Sequence, residues 1–380
     1  MRPIAMVDLH GQYQKIKKEI LNGIESVIES TAFINGNDVL EFSTELASFM
    51  QVQHVIPCAN GTDALQIALM ALDLEQDDEI IIPSFNYVAL AEVVKLLKLK
   101  PVYADVHPTY YTLDPQSVRD KLTSKTKVIA PVHLFGQCAP MEELLQIAKE
   151  HNLFIIEDNA QAIGAEYTFS DGTKIKAGTM GTIGTTSFFP SKNLGCYGDG
   201  GAIFTQDAEL GKKIKSIANH GQRVKYIHDL VGVNSRLDTI QAVILRAKLP
   251  HLVEYNLARN QVAAFYDTAF KHLAPFIEIP QRAPYSDHVF HQYTLVLNGI
   301  NREDFKTFLA THHIPTMVYY PIPIHQQNAY QTKDILPVSE HLANCVVSLP
   351  ISTEMDEEQL NYIVECVKLF VQQVKSASER

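Results

Sequence analysis

One lysine lies in a turn between two apolar runs near the middle of the chain. Residues 185–189 and 202–205 are apolar and β-prone, and Lys192 stands between them, ahead of a glycine-rich loop. Burial between two strands lowers the pKa of an ammonium group. The neutral amine is the form that condenses with an aldehyde to a Schiff base. Lys192 is therefore a candidate nucleophile, with an ordinary lysine in a surface loop as the alternative.

Two acidic residues, Glu157 and Asp158, end another apolar run. This run is a predicted buried strand, and α/β sheets bind ligands at the carboxyl ends of their strands. A buried carboxylate needs a partner. The pyridinium nitrogen of pyridoxal phosphate (PLP) is such a partner, because an aspartate keeps it protonated and the ring then acts as an electron sink. The alternative is a helix cap by Asp158 with Glu157 at the surface.

A candidate phosphate site precedes a helix that is apolar nearly all round. Asn60, Gly61, Thr62 and Asp63 form the turn and the first residues of this helix. The free N–H groups and the dipole of a helix N-terminus favour an anion. A plain helix cap is the alternative. Ser187, five residues before Lys192, offers a hydroxyl to the same phosphate.

An aromatic residue, Tyr87, begins a predicted helix near the same edge of the sheet. Its ring would stack on a flat cofactor ring, whereas core packing is the ordinary role of a single aromatic residue. No cluster of metal ligands is recognisable in the sequence. The phosphate site, the stacking ring, the strand-end carboxylate and the turn lysine, in that order, predict a PLP site more specifically than any one of them alone.

The composition is that of a globular protein long enough for two domains. The chain has 380 residues, 46% of them hydrophobic and 20% charged. Its net charge of −11 disfavours general attraction to nucleic acid. We expect no secretory signal and no membrane span, because no basic stretch leads into an apolar run and no apolar run is long enough. The five scattered cysteines indicate reduced thiols in a cytoplasmic protein.

The elements that must position these residues alternate along the first two thirds of the chain. Helices are predicted at residues 12–29, 36–50, after 60–62, at 87–97, 114–122, 141–151 and 207–219, and strands at 79–82, 102–105, 127–133 and 153–157. Continuous apolar strands of this kind are buried on both faces. The pattern predicts a mostly parallel sheet in a three-layer α/β domain.

The last third of the chain has a different pattern. A helical stretch at 238–273, interrupted at Pro250, is the predicted connection to a smaller α+β domain, so that the domains would be residues 1–245 and 246–380. In the smaller domain, strands are predicted at 291–297 and 316–320 and helices at 303–312 and 356–374. Residues 320–350 are proline-rich and predicted to be irregular, and so long a stretch is often functional.

Nine stretches of the sequence together resemble one family. They are MVDLHGQYQKIKKEI, CANGTDALQIALMAL, PSFNYVALAE, PVHLFGQCAPM, IIEDNAQAIGAEY, SFFPSKNLGCYGDGGAIFT, NHGQ, VGVNSRLDTIQAVILRAKL and YYPIPIHQQNAY. They resemble the PLP-dependent sugar aminotransferases of the DegT/DnrJ/EryC1/StrS family and run through almost the whole chain. Three of them look closest to UDP-2-acetamido-2-deoxy-3-oxo-glucuronate aminotransferases. The resemblance implies the aspartate aminotransferase type of fold.

The resemblance also assigns roles to residues. Lys192 would hold PLP as a Schiff base and then move protons, Asp158 would pair with the ring nitrogen, and Gln161 would contact the ring hydroxyl. Tyr87 would stack on the ring. The phosphate would be lined by Gly61, Thr62, Asp63 and Ser187.

Two further sets of roles follow from the resemblance. Asn234 would reach the phosphate of the neighbouring subunit's cofactor, so that a homodimer would build each site from two chains. Arg236, Tyr320 and His325 would bind the sugar nucleotide. The sequence departs from the family pattern in carrying Tyr319 where many members have histidine and in a longer segment at residues 168–179. Both departures concern sugar specificity.

The implied reaction moves an amino group from L-glutamate to a keto sugar nucleotide, in the biosynthesis of surface polysaccharides or amino sugars. The expected acceptor is a UDP-3-keto-N-acetyl-hexuronate, and the alternatives are dTDP-linked 3-keto or 4-keto-6-deoxyhexoses. A sugar dehydratase of the same fold is disfavoured, because such members replace the lysine with histidine and Lys192 is present. A PLP-binding regulator without catalysis is the remaining alternative.

Overall fold

A large central sheet organises the computed structural model, which describes residues 2–378. The strands are β1 (His54–Cys58), β2 (Glu79–Pro83), β3 (Lys100–Ala104), β4 (Thr126–Ile129), β5 (Phe154–Asp158), β6 (Glu166–Thr168), β7 (Lys174–Lys176), β8 (Ile183–Ser187), β9 (Gly201–Thr205), β10 (Gln222–Val224), β11 (Ile227–His228), β12 (Ile277–Glu278), β13 (Tyr293–Leu297) and β14 (Val346–Leu349).

The helices, in chain order, are α1 (Leu9–Ser30), α2 (Asn37–Met50), α3 (Gly61–Met70), α4 (Ala89–Leu96), α5 (Pro115–Lys121), α6 (Met141–His151), α7 (Ala208–Ala218), α8 (Thr239–Lys248), α9 (Leu252–Phe270), α10 (Arg302–Thr311), α11 (Pro337–Cys345) and α12 (Glu357–Ser378). A short 3-10 turn at Leu249–His251 separates α8 from α9, at the predicted interruption by Pro250. Within residues 2–378, no helix combines the length and the apolar character that a membrane span requires.

The central sheet has seven strands in the order β1-β9-β8-β5-β4-β2-β3. The strand β9 runs antiparallel to both of its neighbours, and the other neighbouring pairs are parallel. The prediction of a mostly parallel sheet is thus confirmed. Because β5 and β8 are parallel neighbours, Asp158 at the end of β5 and Ser187 at the end of β8 lie at the same edge of the sheet.

Helices cover both faces of this sheet. Ile80 and Ile82 of β2 face one side, in a core with residues of α3, α4 and α7. Ile81 faces the other side, in a core with residues of α5 and α6. The alternation follows from the two-residue period of a strand. The predicted three-layer α/β arrangement is therefore confirmed.

The C-terminal part of the chain forms a second core around a smaller antiparallel sheet of β12, β13 and β14. Two predictions are wrong here. Residues 316–320 do not form a strand, because only Met317 bridges to Ser348. The stretch 320–350 is not irregular throughout, since it contains α11 and β14. Pro337 lies in the first turn of α11, where the missing N–H of a proline costs no helical hydrogen bond. This proline is therefore compatible with a helix, although proline content led to the prediction of irregular structure.

The segment predicted to be longer than usual forms a hairpin. Strands β6 and β7 pair antiparallel between residues 166 and 176, and Tyr167 bridges to Ser286. The predicted boundary after residue 245 falls inside α8. Residues on both sides of it, Leu245, Leu249 and Leu252, pack in one core with β9. The division into residues 1–245 and 246–380 stays a prediction.

One carboxylate links the first turn of α11 to the end of β3, in addition to the apolar packing of Leu342 and Ala343. Asp105, which follows β3, accepts hydrogen bonds from the N–H groups of Val338 (2.9 Å) and Ser339 (2.8 Å) and from the Ser339 hydroxyl (2.6 Å). These N–H groups belong to the first turn of α11 and have no partner within the helix. Asp105 therefore caps a helix that begins more than 230 residues later in the chain.

We predict that Asp105→Ala lowers the free energy of unfolding by about 3 kcal/mol, because three hydrogen bonds to a charged acceptor are lost, two of them buried. Asp207→Ala is the matched control, since Asp207 caps only its own helix α7, and a local cap is worth about 1 kcal/mol. Thermal unfolding followed by circular dichroism makes the comparison. An equal loss of thermal stability in the two variants would contradict the proposed link between α11 and the sheet.

Candidate active site

The loop that carries Lys192 is a closed turn between β8 and β9. The N–H of Lys192 donates to the Phe189 carbonyl (2.8 Å), and the N–H of Cys196 donates to the Phe188 carbonyl (2.8 Å). At Gly195 the chain passes so close to itself that a Cβ would lie 2.4 Å from the Pro190 carbonyl oxygen. The glycine in this loop is therefore required for the turn.

Two elements brace this loop from behind, and sequence reasoning missed both. The Nζ of Lys248, at the end of α8, donates to the Gly195 carbonyl (2.7 Å) and lies 4.4 Å from the centroid of the Tyr197 ring. The Asn193 side chain donates to Asn256 of α9 (2.7 Å). No local pattern marks these residues, since their partners are distant in the sequence.

Burial of the Lys192 side chain lowers its pKa to about 8, and the nearby Asp158 carboxylate partly opposes this shift. At pH 7 a group with a pKa of about 8 is neutral about 300 times more often than a lysine with a pKa of about 10.5. Lys192 as a residue is half-buried, and desolvation of its amine is what lowers the pKa. The amine is a competent nucleophile near neutral pH.

Asp158 lies at the edge of the sheet, 8% exposed, with its Oδ1 accepting the Ala160 N–H (3.0 Å). Burial raises the pKa of Asp158, although the Ala160 N–H, Lys192 and His133 each counteract the shift. Among the described residues, no hydrogen-bond donor reaches its Oδ2. A cationic N–H opposite Oδ2 would stabilise the carboxylate, and the pyridinium of PLP has that charge.

Glu157, the neighbour of Asp158, has a different role. It is fully buried, so the alternative with Glu157 at the surface is wrong. Its carboxylate accepts hydrogen bonds from His133 Nε2 (2.9 Å) and from the N–H groups of Gly178 (2.8 Å), Met180 (2.6 Å) and Gly181 (2.5 Å). With four donors, Glu157 ties the end of β5 to the turn before β8 and has no acceptor capacity to spare.

The predicted phosphate residues meet at the N-terminus of α3. Asn60 Oδ1 accepts the Asp63 N–H (2.8 Å), which leaves the N–H groups of Gly61 and Thr62 at the helix start. A Cβ at position 61 would lie 2.7 Å from the Ser187 Cβ. The structure thus brings Gly61 and Ser187 into contact, from two elements more than 120 residues apart. The donors are of the kind that binds phosphate.

An aromatic wall lies on another side of this cleft. Tyr87 is 57% exposed, and its ring centroid is 6.1 Å from that of Tyr320. Gln161 holds Tyr320 in place, since Gln161 Nε2 donates to the Tyr320 hydroxyl (3.1 Å) and Gln161 Oε1 accepts the Phe135 N–H (2.8 Å). Burial raises the pKa of Tyr320, so its phenol stays protonated. Tyr87 is not a core residue and has a free face for stacking.

Two predicted substrate residues lie elsewhere. Arg236 lines a groove of about 1020 Å³ between α2 and α7, which contains none of the predicted PLP residues of the same chain. Asn234 is exposed next to it. His325 is 1% exposed, and both of its ring nitrogens have protein partners, Ser84 and Glu340. The direct contact of His325 with a sugar nucleotide is therefore not supported by its placement.

The residues of the cleft fit PLP on three independent counts. An amine with a lowered pKa, a buried carboxylate with an open acceptor, and a helix N-terminus beside a serine hydroxyl converge on one edge of the sheet. Lys192 would bind the aldehyde carbon, Asp158 the ring nitrogen, and Gly61, Thr62 and Ser187 the phosphate.

We predict that the rate at which PLP is captured by the cofactor-free protein rises with pH and levels off above a midpoint near the Lys192 pKa of about 8. The neutral amine is the reacting form and predominates above its pKa. Visible absorbance in a stopped-flow instrument gives the rates. Free Nα-acetyllysine, with an expected midpoint near about 10.4, is the reference, and Lys192→Ala should show no absorbance change. A midpoint near 10 in the protein would contradict the effect of burial.

Comparison with known proteins agrees with this geometry. The chain is 44% identical over 364 residues to the UDP-2-acetamido-2-deoxy-3-oxo-D-glucuronate aminotransferase of Pseudomonas aeruginosa, covering 95% of this chain and 98% of the relative. It is 43% identical over 368 residues to the UDP-N-acetyl-3-dehydro-alpha-D-glucosamine 3-aminotransferase of Acidithiobacillus ferrooxidans, covering 96% and 97%.

A solved structure is also similar along its whole length. The structure of DesV from S. venezuelae, in complex with a ketimine intermediate, superposes with a TM-score of 0.92 at 36% identity, covering 98% of this chain and 99% of that one. This similarity confirms the predicted aspartate aminotransferase type of fold. The sequence profile of the DegT/DnrJ/EryC1/StrS aminotransferase family matches residues 14–368. The chain therefore belongs to the DegT/DnrJ/EryC1/StrS family of PLP-dependent aminotransferases.

Proposed function

We propose that this aminotransferase moves the amino group of L-glutamate to the C3 ketone of a UDP-linked 2-acetamido sugar, with a UDP-3-keto-N-acetyl-hexuronate as the expected acceptor. The names of the two relatives share the UDP, the 2-acetamido group and the 3-keto position, and they differ at C6. The observation that carries the proposal is the convergence of Lys192, Asp158 and the α3 N-terminus at one edge of the sheet.

The residues of the chain divide the work. Bound PLP supplies an aldehyde that binds amines and a ring that accepts electrons. Lys192 Nζ, once released, takes the proton from the α-carbon of the amino donor. Asp158 holds the ring nitrogen in its charged form. Gly61, Thr62 and Ser187 anchor the phosphate, and Tyr87 covers the ring face.

The rival functions are less well supported. A dehydratase of this fold lacks the lysine that this chain carries as Lys192. A regulator without catalysis has no need of a lysine whose pKa is lowered to about 8 beside a buried aspartate. The five buried free cysteines are consistent with a reducing cytoplasm. We propose that the enzyme works there, in the synthesis of amino sugars for surface polysaccharides such as O-antigen.

Activity should be tested with L-glutamate and a panel of keto sugar nucleotides. We predict that UDP-linked 3-keto 2-acetamido sugars are aminated with a kcat/KM at least about tenfold above that of dTDP-linked 3-keto and 4-keto-6-deoxyhexoses. Formation of 2-oxoglutarate and mass spectrometry of the sugar give the readout, with ping-pong kinetics expected.

The control in this assay is Lys192→Ala, which removes both the binding amine and the proton acceptor and should abolish turnover. Comparing UDP sugars with CH₂OH and with carboxylate at C6 decides whether the acceptor is a hexuronate. A preference for dTDP-linked sugars would overturn the substrate proposal and leave the aminotransferase assignment intact.

We further propose a homodimer with shared sites. A surface beside Arg236 exposes apolar side chains that are unusual for a monomer, among them Tyr226 (80% exposed) and Val231 (85% exposed). These belong to the β10–β11 hairpin and the strap that follows it, which lead to Asn234 and Arg236. A second copy covering this surface would receive Asn234 at its cofactor phosphate and Arg236 at its sugar nucleotide.

Mixed dimers test this arrangement. Lys192→Ala dimers and Arg236→Ala dimers should each be inactive, and subunit exchange between them should restore activity. The mixed dimer holds one site with both defects and one site with neither. Exchange should be verified by native mass spectrometry. Complete exchange without recovered activity would show that each site is built within one chain.

A further inference from the structure

A buried histidine joins two distant segments that form the aromatic wall of the cleft. Ser84 directly follows β2 and precedes Tyr87 by three residues, and His325 follows Tyr320 by five residues. Both Ser84 and His325 are at most 1% exposed. The Ser84 hydroxyl lies 2.6 Å from His325 Nδ1 and accepts the His325 N–H at 3.3 Å, and the Ile324 N–H donates to the Ser84 carbonyl at 2.9 Å.

The hydrogen bonds assign one tautomer to His325. Its Nε2 lies 3.2 Å from Glu340 Oε1. The Leu336 N–H and then His325 hold the pKa of Glu340 below its usual range, so this carboxylate is ionised and accepts. Nε2 therefore carries the proton, and Nδ1 accepts from the Ser84 hydroxyl. In this tautomer the Ser84 hydroxyl and both ring nitrogens are satisfied, so the ring offers nothing to a ligand.

We propose that His325 is a positioning residue, which clamps Ser84 and thereby fixes the spacing between Tyr87 and Tyr320 across the cofactor cleft. The inference rests on the proposed PLP placement, in which Tyr87 stacks on the ring. The two tyrosine rings are 6.1 Å apart, and Phe85 packs edge-on against Tyr320 at 6.4 Å. The clamp connects the two segments at their base.

A direct contact of His325 with the sugar nucleotide and an indirect effect of His325 through Ser84 predict different kinetics. A side chain that touches the sugar nucleotide changes the KM of that substrate and leaves PLP binding unchanged. A clamp at the base of the Tyr87 and Tyr320 segments changes the affinity for PLP, and any change in the KM of the sugar nucleotide accompanies it because Tyr320 lies on the same wall of the cleft.

Two substitutions at position 325 separate the two ring nitrogens. Nδ1 is bonded to Cγ, as are the amide atoms of asparagine, so His325→Asn keeps an acceptor near Ser84 and loses Glu340. The amide atoms of glutamine lie one bond further out, near Nε2, so His325→Gln keeps the Glu340 bond and loses Ser84. The pair is matched in polarity, and each variant keeps one of the two hydrogen bonds and loses the other.

We expect His325→Gln to raise the Kd of PLP about tenfold, the effect of losing one buried hydrogen bond. His325→Asn should stay within about threefold of the parent protein. Ser84→Ala removes the same hydrogen bond from the other side and should reproduce the His325→Gln effect, and the double variant should be no worse than either single one. In all of them the KM of the sugar nucleotide should change by a smaller factor than the Kd of PLP.

A second readout needs no cofactor. Hydrogen–deuterium exchange of the cofactor-free protein should be faster in the backbone of residues 84–92 in His325→Gln and Ser84→Ala, and unchanged in His325→Asn. If His325→Gln does not fold, Ser84→Ala decides by both readouts. Equal effects of His325→Asn and His325→Gln on the Kd of PLP would overturn the clamp. So would a rise only in the KM of the sugar nucleotide.

Tyr87→Ala separates this inference from the proposal on which it rests. If Tyr87→Ala weakens PLP binding and the clamp variants do not, the clamp is wrong and the PLP placement stands. If Tyr87→Ala leaves PLP binding unchanged, the stacking role of Tyr87 is wrong, and the proposed effect of the clamp on PLP binding is wrong with it.

Discussion

Burial of one amine is the constraint on which the rest of this site depends. A lysine in water is almost fully protonated at neutral pH, and desolvation is the main cause that lowers the pKa of Lys192. Exclusion of water and access to a ligand are conflicting requirements, and the loop satisfies both by turning tightly on itself. The loop is therefore tightly packed: backbone atoms crowd Gly195, and Lys248 donates a hydrogen bond to the Gly195 carbonyl.

Two carboxylates at the same edge of the sheet are buried with different numbers of hydrogen-bond donors. Glu157 and Asp158 are consecutive residues of β5, so their side chains point to opposite faces. Glu157 receives four donors and is part of the framework. Asp158 receives one backbone donor and has its pKa raised by burial, which leaves it dependent on a cationic partner. The number of hydrogen-bond donors therefore distinguishes the two adjacent acids. Glu157 is a structural residue, and Asp158 is the proposed partner of the cofactor.

The sequence predicted the parts of the site that depend on local chemistry. The turn lysine, the acids at a strand end and the glycine at a helix start are short patterns with a physical meaning, and the apolar strands predicted the layered sheet. It missed Lys248 and Asn193, whose partners lie 53 and 63 residues away. It also misjudged residues 320–350, because prolines at a helix start and in a loop have the same composition. Contacts between distant segments have no local signal.

The two sides of the cleft are built by different kinds of contact. The proposed phosphate and ring-nitrogen side belongs to the central sheet, where strand pairing sets Asp158 opposite Thr185, two residues before Ser187. The Tyr320 side is carried by a segment that returns from the C-terminal part of the chain and meets the sheet through Asp105 and Ser84. Strand pairing is cooperative over many residues, whereas the returning segment is held by these polar contacts and by the packing of side chains such as Ile324, Leu336 and Leu342. We therefore propose that sugar specificity is set around Tyr319 and Tyr320, on side chains outside the strand pairing that holds the cofactor side.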